Sequence, residues 1–303
     1  MVNPSAGSES PWTQTPARLN VAVIGTGRVG SVLGAALRRV GHKVVACTAV
    51  SELSKLRAES LLPGVPIKQI SEAVQACDLL LLTVPDDVLI DLVSGLAQTG
   101  SVSPGTFVLH TAGRFGDEVL EPLTAQGCLP LAIHPVMTFT GTSVDLNRLS
   151  GCPFAVTTPA QLQPVAQALV VEMGGDPVWV PRQSRGLYHA ALTFGANNLM
   201  TLVNQTIDLL VKAGIESPSE LVAPLFTASL DNALRAGESA VTGPVVRGDV
   251  ATVKVHIDSL RENQPEVLPS YLALARLTAA RALDADRLTV NSAEQLLVVL
   301  SDE

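Results

Sequence analysis

Three glycines, Gly25-x-Gly27-x-x-Gly30, stand between an apolar run, Val21 to Ile24, and an Ala/Leu-rich segment that reaches Val40. That order suits the binding of a dinucleotide pyrophosphate. Gly25 permits a tight turn, Gly27 lets the backbone approach phosphate, and Gly30 lets the next helix pack on the strand, leaving free N-terminal amides for the anion. Thr26, Arg28 and Val29 fill the turn between the glycines. More residues with chemical capacity fall where strands should end: Val84-Pro85-Asp86-Asp87, His110-Thr111-Ala112-Gly113 and His134-Pro135. In open α/β sheets ligands sit beyond the carboxyl ends of strands. Val84, Pro85, Thr111 and Gly113 are therefore expected along the cofactor. His134 is expected as an acid or substrate ligand, with an imidazole that only fixes its own turn as the alternative.

Further along, His189, Thr193 and Asn197 recur at i, i+4 and i+8 of a helical pattern, which places three hydrogen-bonding side chains on one face of an apolar rod. Such groups need partners if buried. A carbonyl or imine receiving hydride needs a donor where charge develops, and His189 and Asn197 could supply it, with Thr193 beside the substrate; local core hydrogen bonds are the other reading. Arg247, in the broken loop Thr242-Gly-Pro-Val-Val-Arg247-Gly-Asp249, could grip a substrate carboxylate or pair with Asp249. Asp249 itself is placed to cap a helix carrying His256.

These residues need two kinds of scaffold. Short apolar runs near 20–25, 43–48, 78–84, 106–110, 130–133, 153–157 and 177–180 alternate with helical patterns and predict a doubly wound α/β domain with a parallel sheet over 19–181. After Pro181 the apolar period becomes three to four, which predicts an all-helical domain over 182–303. Its first helix should run from Ser184 to Lys212. Later helices should start at a Ser217–Glu220 capping box, cover 249–262 and 266–284, and begin again at Asn291, whose Asn-Ser-Ala-Glu294 has the same form. Residues 1–18 read as a flexible tail without a secretion signal. The helical domain is expected to bind substrate at a cleft and to form a homodimer.

Composition excludes several classes. A charge of −8 with no basic block leaves nothing to hold a nucleic-acid backbone or an anionic membrane, and no apolar run approaches the roughly 18 residues of a membrane span. Cys47, Cys77, Cys128 and Cys152 are dispersed, without metal spacing, so no metal site is expected and a reducing cytoplasm suits them. The second strand ends in Cys47-Thr48-Ala49-Val50-Ser51 with no acid before Glu52. An NAD site normally has an acid there for the ribose 2′-hydroxyl, so NADP(H) is preferred over NAD(H), with Thr48 and Ser51 at the adenosine ribose and Lys55 and Arg57 close by.

Six segments taken in order, VIGTGRVG, LLLTVPDD, LHTAGRFGDEVLEPL, HPVMTF, YHAALTFGANN and TGPVVRGDVATVKVH, resemble the Rossmann-like proteins with an appended helical domain of long-unassigned function. The architecture is similar to the wider 6-phosphogluconate dehydrogenase-like superfamily, with its pyrroline-5-carboxylate, ketopantoate and prephenate enzymes. Some members of this make-up resemble alternative ketopantoate reductases of pantothenate synthesis. The resemblance implies NADPH reduction of a small 2-keto acid. The lysine that 3-hydroxyisobutyrate-type enzymes carry on the long helix is absent, and histidine stands at 189; the Ser-Arg-Ser turn common after the second strand is absent too. His134-Pro135 resembles the histidine-proline pair of prephenate dehydrogenases. An imine reductase, a prephenate dehydrogenase-like enzyme and a non-catalytic NADP(H) sensor remain the alternatives.

Overall fold

A computed structural model describes residues 18–301, and the expected tail lies outside the described residues apart from Arg18. The chain divides into two compact units at Leu192/Thr193. The predicted boundary at 181/182 marks the end of the sheet. The first unit continues beyond it because Arg185, Tyr188 and His189 join its interior.

In that unit the chain runs β1 (Asn20–Ile24), α1 (Arg28–Arg39), β2 (Lys43–Thr48), α2 (Glu52–Leu61), a short α3 (Ile70–Ala73), β3 (Leu79–Leu82) and α4 (Asp86–Thr99). It continues through β4 (Phe107–His110), a short α5 (Glu121–Thr124), β5 (Leu129–Pro135), a short α6 (Val144–Arg148), β6 (Pro153–Thr157), α7 (Gln163–Glu172), β7 (Asp176–Trp179) and α8 (Arg185–Leu192). The seven strands form one sheet in the order β2-β1-β3-β4-β5-β6-β7. Side chains alternate between two cores: Val21, Val23, Leu79 and Leu81 pack on one face, Ala22, Ile24, Leu80 and Leu82 on the other. Continuous apolar strands are what burial of both faces demands. One pairing differs from the expected parallel sheet: β6 runs antiparallel to β5, because the connection carries only the five-residue α6 and no full return helix.

Register sets up the site. Ile24 pairs with Leu82, Leu82 with His110 and His110 with Ala132. Consequently the chain leaves three neighbouring strands side by side at Gly25, Thr83 and Thr111.

The second unit begins with a π-helical turn, Thr193–Asn197, and continues through α9 (Asn198–Lys212), α10 (Pro218–Ala236), α11 (Val250–Asn263), α12 (Leu268–Asp284) and α13 (Val290–Ser301). Its core comes from α11 to α13, with Val253, Ile257, Leu272, Ala279, Leu296 and Leu300 buried. Two expected caps are different. Ser217 precedes α10 but its side chain makes no capping bond, since its φ of −120° and ψ of 62° leave the extended geometry a cap needs. For α13 the cap is Thr289, whose hydroxyl accepts from the Ser292 amide at 3.2 Å, while Asn291 lies inside the helix.

Candidate functional site

Gly25 takes a φ of +97°, a region favouring glycine, and its amide donates to Thr48 Oγ1 at 2.9 Å. The Thr26 amide donates to the Thr48 carbonyl at 2.9 Å, and its buried hydroxyl lies 3.0 and 3.1 Å from the carbonyls of Thr48 and Ser54. Thr48 is thus buried and turned back onto the glycine turn. Ser51 is exposed and caps α2 by accepting from the Ser54 amide at 3.2 Å. The sequence places both at a ribose; in the structure Thr48 also holds the glycine turn and Ser51 also caps α2.

Gly27 is the N-cap of α1, with no side-chain cap and nothing within 4 Å of where a Cβ would stand. Gly27, Arg28, Val29, Val84, Pro85 and Thr111 line a single groove of about 340 Å³ together with Thr83, Asp86 and Ala112. The Asp86 carboxylate, which would repel an anion here, accepts from Arg114 Nε at 3.1 Å. An uncapped helix start, open space at its glycine and a neutralised acid fit a dinucleotide pyrophosphate.

Thr111 and Ala112 line the groove, and Gly113 follows against two imidazoles: a Cβ there would stand 2.6 Å from His189 Cδ2 and 3.1 Å from His134 Nε2. A side chain there would push the His189 ring aside. His134 Nδ1 and the Tyr188 hydroxyl are 2.7 Å apart, and the rings of His134 and His189 stand perpendicular with centroids at 6.3 Å. Beneath them Arg185 is 1% exposed. Its Nε donates to Thr157 Oγ1 at 2.8 Å, and Nη2 donates to the carbonyls of Ala132 and Ala155 at 3.0 Å each. Every close partner is neutral. His110, also fully buried, donates from Nε2 to the Gly116 carbonyl at 2.8 Å and accepts the Ala112 amide on Nδ1 at 3.2 Å, which shapes the loop carrying Gly113. Arg182 ties the start of this helical segment to the same loop through paired bonds of 2.9 and 2.8 Å to Asp117.

Burial lowers both His110 and His134 to about 4, with the Arg185 cation adding to it in each case. Unfolding exposes imidazoles that titrate near 6.5, so the unfolded chain binds protons first as pH falls. Stability is therefore fully present above pH 6.5 and is lost as pH drops from 6.5 toward 4, at about 3 kcal/mol per histidine in the limit. Urea unfolding at pH 7, 6 and 5 should show this fall. Equal free energies across that range would mean that these imidazoles are charged in the folded protein.

Sequence reading singled out His134, His189 and Gly113, which the structure brings together, but missed Arg185 and Tyr188. Their signal was present, since positions 185, 188 and 189 share one helix face at i, i+3 and i+4. Thr193 and Asn197, expected on a continuous α-helical stripe with His189, bound the π turn instead. Both are exposed and lie in the second unit, as does Arg247, which is exposed and has no ion pair among the described residues. Asp249 caps α11 by accepting from the Thr252 amide at 3.0 Å. Among the described residues no helix is long and apolar enough to cross a membrane.

Comparison with known proteins gives the fold and the family. A candidate NADP oxidoreductase from Bacteroides fragilis superposes with a TM-score of 0.72 at 20% identity, covering 87% of this chain and 98% of its own. A Plasmodium falciparum pyrroline carboxylate reductase with NADP bound gives 0.54 at 13% identity, with 92% and 98% covered. An NADH-preferring ketol-acid reductoisomerase from an uncultured archaeon gives 0.58 at 15%, with 88% and 84% covered. No curated protein matches the sequence. Residues 1–135 match a Rossmann-like domain, and residues 152–278 match a domain of unknown function, DUF2520. The chain belongs to the proteins that join a Rossmann-like domain to a DUF2520 domain.

Proposed function

We propose that this protein is an NADP-dependent oxidoreductase that reduces a small 2-keto acid, with ketopantoate as the first candidate. The observation that carries the reading is the register of β1, β3, β4 and β5, which sets an uncapped glycine turn at one end of a row of groove-lining residues and, past Gly113 at the other, the His134 imidazole. When bound, the reduced nicotinamide supplies hydride to the carbonyl carbon. The chain's own part is to seat the pyrophosphate on Gly27 and the first turn of α1, to line the groove with Val84, Pro85 and Thr111, and to offer His134 or His189 to the carbonyl oxygen.

Support for NADP over NAD comes from charge. Glu52, the first acid after β2, lies 2.7 Å from Lys55. Gly141, at a φ of +79°, lets Arg57 and Arg28 come together: a Cβ there would stand 2.7 Å from Arg57 Nε and 3.1 Å from Arg28 Cα. Buried Asp145 fixes that loop, accepting the amides of Thr140 and Gly141 at 2.8 and 2.7 Å. Neither arginine has an ion pair among the described residues, so both are available to a 2′-phosphate. Arg57→Ala should weaken NADPH binding about 10-fold, as expected for one lost charge-assisted hydrogen bond, and leave NADH binding unchanged. Titration calorimetry with both cofactors checks this; equal weakening for both would remove Arg57 from the 2′-phosphate.

A second reading, reduction of a cyclic imine, draws on the likeness to pyrroline carboxylate reductase. Following NADPH absorbance against ketopantoate, other 2-keto acids and pyrroline carboxylate separates the two, with prephenate as a further arm. NADPH binding without consumption on any of them would point to a sensor. A second copy of the chain is the partner this reading includes: α9 has no buried residue, and Leu199, Met200, Leu202 and Val211 on it are all more than 40% exposed.

A further inference from the structure

Tyr188 takes no part in seating the cofactor, yet its hydroxyl is 2.7 Å from one nitrogen of the imidazole offered to substrate. The bond has a direction. If His134 donated from Nδ1, the phenol would be left with a proton to place, and no other acceptor lies within hydrogen-bond reach among the described residues. If Tyr188 donates, both groups are satisfied and the imidazole's proton must sit on Nε2. Nε2 has no protein partner and is not among the fully enclosed polar atoms. It faces Gly113, where the groove-lining residues end.

We propose that Tyr188 and His134 form a proton relay, in which the phenol fixes His134 as the Nε2–H tautomer and replaces the proton that Nε2 gives to the substrate. The inference rests on the oxidoreductase reading. As hydride from the reduced nicotinamide forms the new C–H bond, the carbonyl π pair moves onto oxygen. Oxygen takes the Nε2 proton, and Nδ1 takes the Tyr188 proton. The result is an alcohol, a neutral imidazole and a phenolate, later reprotonated by water. Burial raises the Tyr188 phenol above its ordinary value, and the buried Arg185 guanidinium, 5.7 Å from the ring centre, is the cation that works against that and favours the transient phenolate.

Burial, and after it the same cation, opposes protonation of the imidazole, so a doubly protonated His134 is not the donor at neutral pH. The other groups facing the pair are His189 from α8, His110 from β4 and Cys152 before β6, while Asp117 and Glu118 act on Arg185 and His110 from beyond. None is an anion in contact with His134. In this scheme His134 is the group that touches substrate, and Tyr188 is a positioning residue acting through it.

The test has two parts. Nitrogen-15 spectra of the imidazoles in the protein without cofactor should show His134 neutral and protonated on Nε2 at pH 7, and Tyr188→Phe should turn this into a mixture of tautomers. With whichever keto acid or imine the wild type consumes, Tyr188→Phe should lower kcat at least 10-fold with KM and NADPH affinity within 2-fold, and should remove the alkaline fall in kcat that phenol ionisation causes. An Nδ1–H tautomer or an imidazolium in the wild type overturns the relay, as does an unchanged kcat or alkaline limb in the variant. Wild-type protein that binds NADPH but consumes none defeats the oxidoreductase reading instead, and the tautomer measurement still decides the hydrogen bond.

Discussion

Replacing Gly30 by alanine is expected to raise the NADPH dissociation constant more than 100-fold and to lower unfolding free energy by about 2 to 3 kcal/mol, the upper part of the range for a group forced into a packed interior. The added Cβ would stand 2.1 Å from Thr83 Oγ1 and 2.2 Å from the Gly25 carbonyl. These two atoms are bonded to each other, Thr83 Oγ1 donating to that carbonyl at 2.6 Å. A methyl group there displaces both ends of a bond that ties β3 to the glycine turn. The threonine can rotate away. The carbonyl cannot, because it belongs to the residue held at φ +97° whose amide is fixed by Thr48. The turn must open, and the amides of α1 then lose their aim at the pyrophosphate. Calorimetry with NADPH and urea unfolding measure the two effects. Combining the change with Thr83→Ala separates their causes, since relief of the threonine clash alone should recover stability in part and binding hardly at all. Normal NADPH affinity in Gly30→Ala would show that the close approach is not what shapes the binding turn.

The glycine turn was legible because its causes are local: strand, turn and helix follow within fifteen residues, and each glycine answers one steric demand. Likewise the apolar runs of β1 and β3 announced strands buried on both faces. Elements whose causes are not local escaped. The antiparallel β6 depends on how a connection returns, which no residue pattern in Pro153–Thr157 encodes. The choice of Thr289 over Asn291 as a cap turns on where α13 begins to pack, as both residue types cap well. The π turn at Thr193–Asn197 is a change of hydrogen-bond pattern that an apolar period of 3.6 residues does not announce. Thr48 was placed at the ribose because β2 ends without an acid, and only the folded turn shows that its hydroxyl also accepts the Gly25 amide. Arg185 is the hardest case. The face it shares with Tyr188 and His189 is legible, but an arginine at a helix start reads as solvated, and enclosure by the carbonyls of β5 and β6 follows only from the folded sheet.

That enclosure makes Arg185→Met the second decisive substitution. Methionine fills similar volume without charge, so two effects compete. Removing the guanidinium relieves several kcal/mol of desolvation. It also forfeits three close hydrogen bonds from a charged donor, each worth about 1.5 to 3 kcal/mol, and leaves the carbonyls of Ala132 and Ala155 short of a partner at about 1 kcal/mol or more each. The losses are the larger side, and unfolding free energy at pH 7 should fall by about 3 kcal/mol. A second consequence has the opposite look. With the nearby cation gone, His134 should titrate higher than in the wild type while staying below an exposed histidine, since burial is the first cause of its depression and remains. The gap between folded and unfolded titration narrows, and the variant should therefore lose less stability than the wild type between pH 6.5 and 4. Urea unfolding across that interval, with the His134 imidazole followed by nitrogen-15 shifts, reads both. A variant as stable as the wild type with an unmoved His134 titration would mean that the carbonyl cage neither holds β5 and β6 to the helix nor sets the charge of the imidazole above it.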